Sequence, residues 1–147
     1  MHALLLLLAS VAWAAPAGGH AAYLGGTVPK LEQGAEGALD AVDQQYLVFW
    51  TRKSNLRVPY EKINLLEYGQ NVNRHVALAV LISPMFLLSK KRQHFLTVGY
   101  QDEEGRQQAM VFKVEKSGIR TVLAMLEART GLRVQYQDDE ARRGSKG

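Results

Sequence analysis

Few side chains in this sequence have the type and spacing that chemistry needs. Three of its four histidines, His20, His75 and His94, lie far apart, and none belongs to an H-x-x-x-H or H-E-x-x-H pair that could hold a metal ion. The chain has no cysteine, and its serines lack the G-x-S-x-G setting of a hydrolase nucleophile. We therefore predict no catalytic residue, no metal site and no cofactor, and we expect that the protein is not an enzyme.

One arrangement keeps an enzymatic alternative open. His94 follows the basic pair Lys91-Arg92 and begins a predicted strand that leads into an acidic turn at 102–104. A small envelope hydrolase could use such an imidazole together with a carboxylate as its general base. A perturbed pKa of His94 in a cleft would favour this alternative, whereas a solvent-exposed His94 would exclude it.

The most distinctive feature is an apolar segment, residues 76–88, that carries no charge over 13 positions. A helix of that length reaches ~20 Å, which is short of the ~30 Å hydrocarbon core of a bilayer, and Pro84 disfavours a straight helix. Three interpretations remain open: a buried core segment, an element that touches a membrane surface, and a docking face for a protein. The predicted membrane or partner contacts are the large apolar residues and the basic rims: Arg74, Leu78, Leu81, Ile82, Met85, Phe86, Leu87, Lys90, Lys91 and Arg92.

The N-terminus has the pattern of a secretory signal. Residues 1–29 contain no Asp, Glu, Lys or Arg, and a run of leucines leads to the small-x-small site Ala12-Trp13-Ala14. We predict a cleaved signal peptide at 1–14 and a flexible leader at 15–22, and hence export to the periplasm or the extracellular space. An uncleaved anchor or a buried N-terminal helix is the alternative.

The length and composition of the chain indicate how many domains it can form. The chain has 147 residues, of which 47% are hydrophobic and 22% charged, enough for one domain with one core. We place that domain at 23–136 and expect a disordered polar tail at 137–147. The net charge of +4 is too small to indicate a nucleic-acid partner.

Short alternating patterns separated by turn residues predict six or seven strands. Pro59 cannot donate to a ladder, so its strand is expected at a sheet edge. The predicted strands are 23–28, 37–43, 46–51, 56–60, 63–68, 94–100 and 109–114. In the last pair, 94–100 and 109–114, alternate apolar residues should share one face.

The last predicted element is an amphipathic helix, 119–130. Its apolar stripe consists of Ile119, Val122, Leu123 and Leu126, at the spacing of one helix face. We predict Ser117 as the N-cap and a stop at Gly131. A sheet of short strands needs a cover for its apolar face, and this helix is the natural cover.

Three motifs along the early strands, GAL at 37–39, YLVF at 46–49 and LRVPYEKI at 56–63, resemble the pleckstrin-homology-like superfamily. The likeness is to its GRAM and bacterial PH-like branch, in which a G-x-L … L-x-F … I-P-Y-x-x-I progression crosses these strands. The resemblance implies a mainly β (α+β) fold: a bent antiparallel sheet sandwich or barrel of six to seven strands capped by one C-terminal amphipathic helix.

The resemblance also implies a binding or scaffold role rather than catalysis. Here the stretch after the first strand sets Lys30 against Glu32, Glu36 and Asp40, so we expect no phosphoinositide site there. We expect an exported, non-catalytic module of the cell envelope whose partner is a membrane surface or an envelope protein. A structural protein that self-associates through 76–88 is a further alternative.

Overall fold

The computed structural model describes residues 18–27, 31–72, 76, 80–86, 92–137 and 142–143. The predicted signal peptide and most of the predicted tail lie outside these residues. Within them, no helix combines the length and the apolarity needed to cross a bilayer.

The described residues form one eight-stranded sheet and one long helix, so the prediction of a mainly β, α+β protein is confirmed. The strands are β1 Gly18–Gly26, β2 Ala35–Asp40, β3 Tyr46–Trp50, β4 Asn55–Pro59, β5 Ile63–Gly69, β6 Phe95–Gln101, β7 Gln107–Val114 and β8 Gln135–Tyr136, and the helix is α1 Lys116–Thr130. They are ordered β4-β3-β2-β1-β7-β6-β5-β8 across the sheet. As its proline predicts, β4 lies at the edge.

The predicted number of strands, six to seven, is wrong, because the sheet has eight. The additional strand is β8, whose two residues pair in parallel with Glu67 and Tyr68 of β5. A two-residue strand has no hydrophobic period for sequence analysis to detect. Its position is set by the helix, which delivers the chain back to the edge of β5.

The first strand begins at Gly18 rather than at Tyr23, inside the segment expected to be a flexible leader. Glycine and alanine have low strand propensity, so the sequence gives no signal there. The strand exists because β2 and β7 flank it on both sides, with Ala21 opposite Gly37 and also opposite Val114.

The main core lies between the sheet and α1. Leu96 pairs with Phe112 and Val98 with Met110 across β6 and β7, as the alternation predicts, and all four side chains are buried. The predicted helix stripe is buried against them: Ile119, Val122, Leu123 and Leu126. Fully burying one such aliphatic side chain contributes ~1.5–3 kcal/mol.

The ends of α1 were predicted with mixed success. Gly131 adopts the left-handed conformation (φ 72°) and ends the helix, which confirms the predicted stop. The predicted cap at Ser117 is wrong, because the helix begins at Lys116 and its N-cap residue is Glu115, without a side-chain bond to the backbone. A backbone contact fixes the start instead: a Cβ added to Gly118 would lie 2.5 Å from the Cα of Gly19 in β1.

The opposite face of the central strands is covered as well. Val80 and Ile82 of the apolar segment pack against Leu24 in β1, Phe95 in β6 and Val111 in β7. These strands are therefore buried on both faces, by α1 on one side and by residues 80–82 on the other.

Because Gly118 meets the backbone of β1, Gly118→Ala is expected to push α1 away from the sheet. Overpacking of this kind costs about 1–3 kcal/mol. Urea unfolding followed by circular dichroism measures the loss. Ala124→Ser, on the exposed face of α1, is the matched control and should leave the unfolding midpoint nearly unchanged; equal stability of the two variants would contradict the close approach.

Candidate contact surface

The apolar segment divides its side chains between the core and solvent. Val80 and Ile82 are buried, whereas Leu81 and Met85 are 78% and 71% exposed. Each presents apolar area whose burial against a partner would be favourable. We call Leu81 and Met85 the apolar tip.

The side chain of Gln33 holds this part of the segment in place. Its Nε2 donates a hydrogen bond to the carbonyl oxygen of Leu81 (2.7 Å), and its Oε1 accepts one from the backbone N–H of Ser83 (3.1 Å). Leu81 itself has a positive φ of 51°, an uncommon conformation for a residue with a branched side chain. One glutamine from the loop between β1 and β2 thus fixes the backbone on both sides of Ile82.

A glycine allows the segment to approach the sheet closely. A Cβ on Gly25 in β1 would lie 3.0 Å from the carbonyl oxygen of Val80 and 3.4 Å from the side chain of Ile82. The pairing of β1 with β7 also shifts register between Tyr23 and Gly25. The segment therefore lies directly on the backbone of β1, and the tip is left outside.

The structure separates the residues predicted as contacts. Leu81 and Met85 are exposed and form the tip, and Arg92 is exposed. Ile82 is 7% exposed and does not belong to the tip, because its side chain is one of the two that anchor the segment. The other predicted contacts lie outside the described residues or, for Phe86, outside the described side chains: Arg74, Leu78, Phe86, Leu87, Lys90 and Lys91.

A second exposed feature lies at the turn between β3 and β4. Trp50 is 47% exposed and lines a groove of about 940 Å³ together with Arg52 and Lys53. Thr51 makes this turn rigid, because its N–H and its hydroxyl both donate to the carbonyl oxygen of Ser54. The side chains of Arg52 and Lys53 form no ion pair or hydrogen bond within the described part of the chain, although the backbone N–H of Lys53 donates to the Thr51 hydroxyl.

This turn is not among the contact residues predicted from the sequence. An aromatic residue at the end of an alternating strand is usually buried, and two cations in a turn are usually only solvated. The signal in the sequence is that Trp50 lies two residues before Arg52 and three before Lys53, so that an indole and two cations share one turn.

His94 does not meet the acidic turn. It is buried at the start of β6, where its Nδ1 shares a hydrogen bond with the hydroxyl of Tyr68. Asp102 lies at the far end of the same strand, more than about 20 Å along extended chain, and bonds to Arg106 and Gln108. The imidazole and the carboxylates of the enzymatic alternative are therefore not brought together.

Burial lowers the pKa of His94, and the ammonium group of Lys116 lowers it further. A neutral imidazole packed on the ring of Tyr68 is a structural contact between β5 and β6. Within the described residues no group of three or more His, Cys, Asp or Glu could hold a metal ion.

Comparison with protein-family models and with curated proteins finds no match to this sequence. Conclusions about function therefore rest on the residues and geometry described above.

The lowered pKa of His94 predicts a loss of stability in acid. At pH values above ~6.5, the pKa of a histidine in an unfolded chain, His94 is neutral in both states and does not affect stability. Below that pH the unfolded chain binds a proton at His94 more readily than the folded chain does, which stabilises the unfolded state. The unfolding free energy measured by urea titration should therefore fall as pH decreases from 7 to 5. His94→Gln should flatten this dependence, while His20→Gln, at an exposed histidine, should keep it. An equal slope in all three proteins would contradict the assignment.

The Gln33 bonds predict that this one side chain stabilises the segment locally. Gln33→Ala removes two hydrogen bonds, each with a net value of about 0.5–1.5 kcal/mol. Amide hydrogen exchange at Ser83 should accelerate by about tenfold or more. Gln44→Ala, an exposed glutamine between β2 and β3, is the control. Unchanged protection of Ser83 would mean that the segment does not depend on Gln33.

Proposed function

We propose that this chain is an exported, non-catalytic binding module of the cell envelope that contacts its partner through the apolar tip. The observation that carries the proposal is the exposure of Leu81 and Met85 beside the buried anchors Val80 and Ile82. Leu81 lies between the two buried anchors in a left-handed backbone conformation, and Gln33 bonds to its carbonyl oxygen, so its side chain is held open to solvent.

The order of elements supports a PH-like module. Four strands, β1 to β4, follow one another across half of the sheet, β5 to β7 do the same in the other half, and α1 packs on the inner face. This strand order and the C-terminal helix support the bent, capped sheet that the resemblance of the motifs at 37–63 implies. Domains of that superfamily generally recognise lipids, peptides or proteins.

Two of the three interpretations of the apolar segment, core and contact surface, apply to different side chains within it. Val80 and Ile82 belong to the core, while Leu81 and Met85 are available to a partner. A deletion of 80–86 would remove both sets and would unfold the central strands, so only point substitutions at the tip separate binding from folding.

Leu81→Asp combined with Met85→Asp is expected to reduce association with envelope membranes while leaving the fold intact. Two apolar side chains that become buried on binding contribute enough to lower affinity by at least about tenfold when lost. Sedimentation with an envelope membrane fraction measures association, and thermal unfolding measures the fold.

Val42→Asp is the matched control, because Val42 is also an exposed apolar residue but belongs to the connection between β2 and β3. It should sediment like the wild-type protein. Equal sedimentation of the double variant and the wild type, with equal thermal stability, would contradict a contact through the tip.

A further inference from the structure

Three of the four large hydrophobic residues that are exposed in the described part of the chain lie around one loop. The loop between β1 and β2 bonds through Gln33 to the backbone at Leu81 on one side. On its other side Glu32 and Gly34 line the groove that contains Trp50. The apolar tip and the turn at residues 50–54 (the Trp50 turn) therefore both adjoin this one loop, while Val42 lies at the opposite end of β2.

The residue types on this surface match the layers of a bilayer, from the charged headgroups to the hydrocarbon. Aliphatic side chains such as Leu81 enter hydrocarbon favourably, and tryptophan prefers the boundary between the headgroups and the acyl chains. Arg52 and Lys53 follow Trp50 on the rigid turn and present cations at headgroup level. A juxtaposed apolar tip, indole and basic pair is the set that an interfacial protein uses.

We propose that this surface docks on an anionic lipid bilayer, with Leu81 and Met85 inserted and with Trp50, Arg52 and Lys53 at the headgroups. The inference rests on the proposed function, since it names the partner of the same tip. It assigns the Trp50 turn as a second contact that the segment 76–88 does not include.

Charge and shape favour a bilayer over a protein. The stretch 74–92 contains four Lys and Arg residues and no Asp or Glu, and the Trp50 turn adds two cations. The tip itself offers two apolar side chains, Leu81 and Met85, that are exposed to solvent. A protein interface needs a matching concavity, whereas fluid acyl chains accommodate isolated side chains.

Two carboxylates oppose the cations in the groove. Glu32 and Glu36 line it together with Arg52 and Lys53 and, within the described residues, form no ion pair. Glu32→Gln combined with Glu36→Gln should therefore strengthen binding to an anionic surface. Exposed charges are screened, so binding should weaken as salt increases.

The experiment is flotation of the purified protein with vesicles of phosphatidylcholine that contain about a third phosphatidylglycerol, compared with vesicles of phosphatidylcholine alone. All variants carry the same N-terminus, so differences among them report on this surface. Arg52→Gln with Lys53→Gln should lower affinity for the anionic vesicles by about thirtyfold, at ~1 kcal/mol per cation. Lys62→Gln with Arg133→Gln removes the same charge elsewhere and should have little effect.

The position of Trp50 is tested directly by fluorescence. Trp50 and Trp13 are the two tryptophans of the chain, so Trp13→Phe leaves Trp50 as the only indole. Lipids brominated near the headgroup should quench Trp50 in anionic vesicles, and Leu81→Asp should abolish the quenching.

The possible outcomes separate this inference from the proposed function. Salt-sensitive flotation that both the Leu81 and the Arg52/Lys53 variants reduce supports the inference. The bilayer inference is overturned if the lipid vesicles bind no form of the protein, or bind all variants equally, while the tip variants still lose association with envelope membranes. The partner is then a protein. If the tip variants change neither assay, both proposals fail.

Discussion

Burial of the central strands on both faces is the constraint on which the rest of this structure depends. Strands β1, β6 and β7 carry apolar side chains on each face, and a single helix can cover only one of them. The second face is covered by Val80 and Ile82, which arrive from a long connection between β5 and β6. Val80 and Ile82 of that connection are therefore part of the core, because the outer face of these strands is apolar as well.

The exposed tip follows from this covering role. Val80 and Ile82 are buried, and Leu81 between them adopts a left-handed turn conformation (φ 51°) with its side chain exposed. Gln33 fixes the backbone on either side of the anchor Ile82. The close contact also favours Gly25, because a Cβ there would lie only 3.0 Å from the carbonyl oxygen of Val80. The same packing that completes the core thus creates the surface to which we assign function.

Most of the architecture was predictable because it is periodic. The strands from β2 to β7, the edge position of Pro59 and the buried stripe of α1 all follow from hydrophobic alternation and from turn residues. The errors arose where pattern is weak. The first residues of β1 are glycine and alanine, β8 has only two residues, and the start of α1 depends on a contact between Gly19 and Gly118.

The sequence by itself determined the strand segments, the helix face that is buried and the existence of an uncharged apolar segment with basic flanks, because each is written in local composition and spacing. Tertiary structure decided which residues of that segment are anchors and which are open. It also brought the Trp50 turn to the same loop as the tip, although the two are distant in sequence, and kept His94 apart from the acidic turn. These are relations between elements, and they follow from strand order and close packing rather than from any local pattern.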